Sequence, residues 1–258
     1  MGFHLLGVLM AKLRKIKRNL KSNRRYQDDY QLLSSQNPEY LKIFPFGKPF
    51  KCLNNWDEQG GVVGGHYFHQ DLLVARIIFS EKPSCHIDVG SRIDGFVAHV
   101  ASFREIEVFD IRPLDRDIAG IKFVQFNLMD ELPDSFVACC DSLSCLHALE
   151  HFGLGRYGDP VAWNGHLVGL SNLTKMLKSG GTLYLSVPLG EQRIEFNAHR
   201  VFSAKYLLEC VQSDFEVGTC SVVDDAGALH MNVSLDSKLL DNNFDCDYGC
   251  IILQLTKR

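Results

Sequence analysis

No stretch of the sequence approaches the ~20 consecutive apolar residues that an α-helix needs to cross a bilayer, which excludes a helical membrane span. There is no Cys-x-x-Cys pair either. The nine cysteines, at 52, 85, 139, 140, 145, 210, 220, 246 and 250, are odd in number, and several fall within apolar runs. That pattern fits reduced, buried thiols in a cytosolic protein and argues against a disulfide framework. Cys246 and Cys250 stand four apart, but a lone Cys-x-x-x-Cys is slender ground for a metal. Internal repeats and low-complexity tracts are absent as well. Acidic residues are missing from the first 25 positions, which hold eight of the 27 basic groups. The rest of the chain then carries 19 basic groups against 31 acidic ones, a net charge of −12. A basic arm on an acidic body is a statement about partners.

The composition is that of a soluble globular protein, 46% hydrophobic and 22% charged. Its 258 residues suffice for one well-cored α/β domain with an extension. Residues 1–30 are read as the basic arm, with Leu6, Leu9, Met10, Leu13, Ile16 and Leu20 spaced along one helical stripe. Such a cationic amphipathic helix suits an anionic membrane surface at residues 1–25; a solvated helix or basic tail is the alternative. Charge follows the apolar start instead of preceding it, unlike a signal peptide. Residues 31–82 are read as a linker and capping helix. Pro38, Pro45, Gly47 and Pro49 break regular structure, and Gly60, Gly61, Gly64 and Gly65 form a loop. A helix is expected over His66–Phe79, with Phe68, Leu72, Ala75 and Phe79 facing inward.

From residue 83 to 258, strand and helix patterns alternate. Strands are expected at Cys85–Val89, Glu105–Asp110, Lys122–Phe126, Ala138–Ser144, Thr182–Val187, Phe215–Val222 and Tyr248–Thr256. Crossover-length segments between the first five predict an α/β fold: a doubly wound, Rossmann-like, seven-stranded and mostly parallel sheet.

The first strand runs into Asp88-Val89-Gly90-Ser91-Arg92-Ile93-Asp94-Gly95, a glycine turn before a helix. Gly90 permits the tight turn and a close ligand approach. Asp110, 22 positions after Asp88, is placed to accept both hydroxyls of a ribose, and Asn127 can meet an adenine edge. No GxGxxG follows this strand, which disfavours a pyrophosphate and with it a nucleotide-sugar oxidoreductase. Arg92 and Asp94 instead suit a smaller, zwitterionic group such as a methionyl moiety.

Two later runs resemble class I S-adenosylmethionine-dependent methyltransferases, in the order and spacing of that family. One is Asp141-Ser142-Leu143-Ser144-Cys145-Leu146-His147-Ala148-Leu149-Glu150-His151; the other is Leu177-Lys178-Ser179-Gly180-Gly181-Thr182-Leu183-Tyr184-Leu185-Ser186-Val187-Pro188. The match is closer to domain-of-unknown-function family 268. It rests on Asp88–Phe96, Asp110-Ile111-Arg112-Pro113-Leu114 and Glu195-Phe196-Asn197-Ala198-His199-Arg200-Val201-Phe202. It covers roughly residues 60–258. The resemblance implies S-adenosylmethionine as cofactor. The contacts expected for it are Asp88, Gly90, Ser91, Arg92, Gly95, Asp110, Ile111, Asn127, Leu128 and Ser144. The resemblance also implies a glycan-assembly setting, with a sugar hydroxyl on a nucleotide-linked or lipid-linked glycan as acceptor.

A hydroxyl acceptor needs a base, and His151, after the fourth strand, is the first choice. Glu150 and His199 complete the catalytic candidates; capping or cofactor contact is the other reading of Glu150 and His151. Asn197 and Arg200 are expected at the substrate, Arg200 through a two-pronged contact with an anion. His66 and Tyr67 are expected at the substrate too, as a lid with His69, with helix-face packing as the other reading; Arg112 is read as structural. His147, Glu150 and His151 spell HxxEH, but no third ligand accompanies them and no metal is expected. Nucleic acid is not expected as a partner. The reading is therefore a cytoplasmic methyltransferase, peripheral on the inner face of a membrane. A binding or scaffolding protein that kept the fold and lost transfer is the alternative.

Overall fold

The computed structural model describes the backbone of residues 2–36, 39–53, 56, 58, 60–61 and 63–258. Side chains at 2–9, 11, 13–15, 18 and 40 lie outside the description. The chain divides into two units, Met1–Val62 and Val63–Arg258, so the helix read as a cap falls in the second.

The first unit is built on α1 (Gly2–Gln36), followed by the single turn α2 (Tyr40–Ile43). Of the apolar stripe, Met10, Ile16 and Leu20 are exposed, as are Lys12, Lys17, Lys21, Arg24 and Arg25. Leu6, Leu9 and Leu13 lie outside the described side chains. The ring of Tyr30 meets that of Phe46 at 4.5 Å, and the Arg25 guanidinium lies 4.8 Å over the ring of Trp56. Among the described residues no helix is long and apolar enough to cross a membrane.

The second unit opens with α3 (His66–Glu81) and β1 (His86–Val89). A tight turn leads into α4 (Ala98–Ala101), β2 (Ile106–Asp110), β3 (Ile121–Gln125) and β4 (Cys140–Leu146). Next come α5 (Gly165–Met176), β5 (Leu177–Leu189) and a small hairpin of β6 (Arg193–Glu195) and β7 (His199–Val201). The chain closes with α6 (Ala204–Val211), β8 (Phe215–Val223), β9 (Leu229–His230), α7 (Ser237–Asp241) and β10 (Gly249–Lys257).

The main sheet runs β3-β2-β1-β4-β5-β10-β8-β9. Its first five strands are parallel, and β10 is antiparallel to both neighbours. It has eight strands where seven were expected, because the chain after β8 turns back through Gly227 (φ 79°) and adds the two-residue edge strand β9. The glycine pair Gly180–Gly181 lies inside β5, which begins directly after α5.

Two cores form on opposite faces of the sheet, the three-layer solution for a buried parallel sheet. One packs Leu170, Leu173 and Met176 of α5, with Leu207 and Val211 of α6, onto Ile87, Leu143 and Leu185. The other packs Val74 and Ile78 of α3 with Phe96 and Val100 against Val108 and Ile252. The buried face of α3 is Gln70, Asp71, Val74, Ala75 and Ile78. Of the residues expected inward, only Ala75 is buried; Phe68, Leu72 and Phe79 are exposed. The buried stripe contains two polar side chains, so hydrophobicity pointed to the wrong face. Gln70 is there because its Oε1 accepts from Ser186 Oγ at 2.6 Å and its Nε2 donates to Asp71 at 3.1 Å.

Candidate functional site

The strand order reverses between the parallel strands β1 and β4, the place where open α/β sheets leave a crevice at their carboxyl ends. A cavity of about 310 Å³ opens there, floored by Val89, Phe109, Phe126, Leu128 and Ala148. Gly90, at φ 73°, makes the turn that borders it; a Cβ at this position would stand 2.8 Å from Ala148 Cβ.

The turn is held from below. Asp88 is fully buried; one of its oxygens accepts from Ser91 Oγ (2.7 Å) and Ser144 Oγ (2.6 Å), and the other from Ser91 N (3.0 Å). His86 continues the network, with Nδ1 2.8 Å from Ser142 Oγ and Nε2 3.2 Å from Ser144 Oγ. Register explains it, since His86 pairs with Ser142 and Asp88 with Ser144 across β1 and β4. Burial raises the Asp88 carboxyl to about 6, with the serine hydrogen bonds pulling the other way.

Of the residues expected at the cofactor, Gly90, Arg92, Asp110, Ile111, Asn127 and Leu128 line the cavity. Asp88, Ser91, Gly95 and Ser144 do not. The first, second and fourth form the brace just described. Gly95 is needed for packing, since a Cβ there would lie 2.6 Å from Asp71 Oδ2. Arg92 pairs with exposed Asp94 and lays its guanidinium 5.2 Å over the Tyr67 ring, so Asp94 is held away from the cavity.

Asp110, 8% exposed at the end of β2, is already engaged. Its Oδ1 accepts from Arg112 N (2.8 Å) and from Arg112 Nε (2.9 Å), and Arg112 Nη2 bonds Oδ2. Asn127 folds its own turn, accepting from Met129 N and donating to Asp130.

A second chamber of about 350 Å³ shares Tyr67, His147, His151 and Arg156 with the first, and adds His66, Glu150, His199 and Tyr248. Of the candidates after β4, His151 borders both chambers and Glu150 only the second. His151 Nδ1 lies 2.7 Å from Ala198 O, and a carbonyl can only accept, so Nδ1 carries the proton and Nε2 a free lone pair. Nε2 stands 3.7 Å from Glu150 Oε1. Burial lowers the His151 pKa, with the Glu150 charge opposing it, so the ring is neutral near pH 7. Glu150 is 1% exposed, and its Oε1 meets His147 Nδ1 at 2.8 Å. Burial pushes the Glu150 pKa up, but the charge and hydrogen bond of His147 hold it below its ordinary value. His199 faces only the second chamber and pairs with Glu195 at 3.1 Å.

Asn197 is exposed and lines neither cavity. Arg200 is 6% exposed and reaches no cavity. Its guanidinium instead donates to Phe152 O (2.6 Å), Trp163 O (3.3 Å) and Glu150 O (3.4 Å), stapling the loop after β4 to β7. A run of polar letters around Arg200 suggested an exposed segment; carbonyls from distant sequence make burial of the charge tolerable.

The loop so stapled supplies residues that the sequence reading passed over: Phe152, Arg156, Tyr157 and Asp159 all line the first cavity. Gly153-Leu154-Gly155-Arg156-Tyr157-Gly158 does spell GxGxxG, but after β4 and with no helix behind it. The three glycines have φ of 79°, 73° and 85°, and the backbone N–H groups of Gly153, Gly155 and Tyr157 converge on the Asp159 carboxylate at 2.7–3.2 Å. The anion in this nest is internal. Tyr157 lies under two guanidiniums, Arg112 at 4.8 Å and Arg156 at 5.0 Å. The signal was in the glycine spacing, followed by Asp159-Pro160.

Residues 113–253 match the family model described as Caenorhabditis protein of unknown function, DUF268. The chain belongs to that family. No curated protein matches this DUF268 member. Its fold is shared with N-methyltransferase NodS from Bradyrhizobium japonicum WM9, a complex with S-adenosylhomocysteine. That likeness has 12% identity and a TM-score of 0.51, over 90% of this chain and 97% of that one. It is shared too with a Burkholderia thailandensis 1,6-didemethyltoxoflavin-N1-methyltransferase (12%, TM-score 0.50, 73% and 78%). The [4+2]-cyclase SpnF has it as well (15%, TM-score 0.52, 78% and 86%). At these identities the likeness shows the fold: DUF268 is a class I methyltransferase-type α/β domain.

Proposed function

We propose that this DUF268 member is an S-adenosylmethionine-dependent methyltransferase, and that its acceptor is a sugar hydroxyl on a nucleotide-linked or lipid-linked glycan. The observation that carries the first part is the cavity at the switch point. Its volume lies within the usual range for small-molecule sites. It has a glycine turn on one side, an acid at the end of β2 and a polar turn at Asn127. Gly90, Asp110, Ile111 and Leu128 are the residues to hold the cofactor, which when bound supplies an already activated methyl group.

The chain's own contribution is then to hold the acceptor and take its proton. His151 presents Nε2 as the base. Glu150 Oε1, 3.7 Å from that same Nε2, stabilises the imidazolium that forms. Ala198 O fixes the tautomer. What supports a hydroxyl acceptor is the free Nε2 lone pair of His151, which can take a hydroxyl proton.

His151→Ala is expected to leave S-adenosylmethionine affinity unchanged and slow transfer by about 10²–10⁴-fold. Because burial lowers the His151 pKa, the acid limb of kcat in the wild type should fall below the ordinary 6.5. Activity rises with pH through that point, as the base loses its proton. An equal loss of binding and turnover in the variant would remove His151 as base.

A second reading is favoured by one observation: Arg112 already engages both carboxylate oxygens of Asp110. A chain that kept the fold and closed the ribose subsite with its own guanidinium would be a non-catalytic binding protein.

For the N-terminal unit we propose contact with an anionic membrane surface through residues 1–25. Exposed Met10, Ile16 and Leu20 beside exposed Lys12, Lys17 and Lys21 support it. Co-sedimentation with phosphatidylserine vesicles should fall at least tenfold when residues 1–25 are deleted. Unchanged co-sedimentation would refute the contact.

A further inference from the structure

Two side chains that line the second chamber, His66 and His147, and the buried Cys250 beside them are not used by methyl transfer. His66 opens α3, His147 follows β4 in the left-handed region (φ 50°), and Cys250 is the second residue of β10. One ligand atom from each lies within 4.8 Å of the other two.

Each is held as a ligand would be. Nδ1 of His147 is fixed on Glu150 at 2.8 Å, which leaves Nε2 buried with no hydrogen-bond partner. A histidine that grips a metal through one nitrogen almost always engages a carboxylate or carbonyl through the other. His66 is tied to the Tyr248 backbone, and its ring lies 5.1 Å from that of His147, nearly parallel. Cys250 is fully buried, and its Sγ lies beside the His147 ring, with weaker contacts at 3.7 Å to Ile251 O and 3.9 Å to Gln70 Oε1. A positive φ at a non-glycine residue marks a conformation imposed by its surroundings.

We propose that His66, His147 and Cys250 bind a zinc-class divalent cation, with its fourth position open toward the second chamber. Two imidazoles and a thiolate select a borderline metal over magnesium or calcium, which prefer oxygen. Tetrahedral ligation by these donors sets them about 3.4–3.6 Å apart, so the trio has to close by roughly 1 Å. Both histidines can do so by rotation about their side-chain bonds. Charge balances as well. On binding, the proton on Sγ leaves to solvent, as does that on Nε2 where His147 carries one. The thiolate and the Glu150 carboxylate behind His147 then offset the dication. The HxxEH partner His151 is not part of this set, because its free Nε2 faces Glu150 Oε1 at 3.7 Å and does not converge with the other three ligand atoms. The proposal does not rest on methyl transfer.

The test uses the full chain, stripped with a chelator and titrated with Co²⁺. One equivalent should produce tetrahedral d–d bands and a thiolate-to-cobalt charge-transfer band, both displaced by Zn²⁺ and unaffected by Mg²⁺. The charge-transfer band should vanish in Cys250→Ser, and affinity should fall at least a hundredfold in His66→Gln. Glu150→Gln, which removes no ligand, should lower affinity by about 10–100-fold. A wild type that stays folded and shows no thiolate band would overturn the site. So would a band that survives Cys250→Ser, since eight other cysteines remain. Should Cys250→Ser fail to fold, an unchanged titration in His66→Gln and Glu150→Gln decides against it equally.

Discussion

Calorimetric titration with S-adenosylmethionine or S-adenosylhomocysteine should show micromolar binding that Asp110→Ala weakens by about 100-fold. The magnitude follows from the site. Asp110 is mostly buried at the end of β2, beside Gly90 and Ile111 on the cavity wall. Each hydroxyl hydrogen bond to a carboxylate there contributes about 1.5–3 kcal/mol, and two of them lost together amount to roughly 3 kcal/mol, or two decades in Kd. The carboxylate already accepts from Arg112, and Oδ1 takes both Arg112 N and Nε, so one ribose hydroxyl can add at Oδ2 while the second displaces an Arg112 Nε contact. No binding of either ligand by the wild type would instead mean that Arg112 has closed the subsite. The scaffold reading would then replace enzymatic transfer.

Asp88→Asn should change the pH dependence of stability more than any substitution on the cavity wall. The Asp88 carboxyl is raised to about 6 by burial, against an ordinary value near 4. A raised folded pKa means that the native state keeps a proton which the unfolded chain releases between about pH 4 and pH 6. The stabilisation is thus present below the unfolded pKa and lost as pH rises through the folded one. The stability of wild type minus Asp88→Asn should fall by about 3 kcal/mol between pH 4 and pH 7, read from denaturant midpoints. A difference independent of pH would show that Asp88 does not titrate in that window.

The strands were readable because each is a short β-branched or apolar run bounded by turn residues. The Gly90 turn was readable from a single glycine after Val89. Asp110, Asn127 and His151 fell at strand ends, and strand ends in this fold border the crevice. What escaped the sequence depended on partners far along the chain. Asp88 was read as a ligand contact, yet it braces the turn through Ser144, 56 positions away. Gln70 and Asp71 break the apolar pattern of α3 on the side it buries, so the helix was found and its face was not. Arg200 was read as reaching substrate because a guanidinium is usually exposed. Four carbonyls around it are visible only in three dimensions. The GxGxxG after β4 went unused because that pattern is sought after the first strand, with the anion coming from a ligand.

That last feature bears on kinetics. The Asp159 carboxylate already occupies the ring of N–H donors made by Gly153, Gly155 and Tyr157, so the loop carries its own counterpart for those donors. Its shape does not wait for a phosphate from solution. Capture of a small molecule in the neighbouring cavity therefore does not include the entropy of ordering this wall. With Tyr157 and Arg156 already in place on this wall, differences in affinity among ligands are expected to fall on how long each stays.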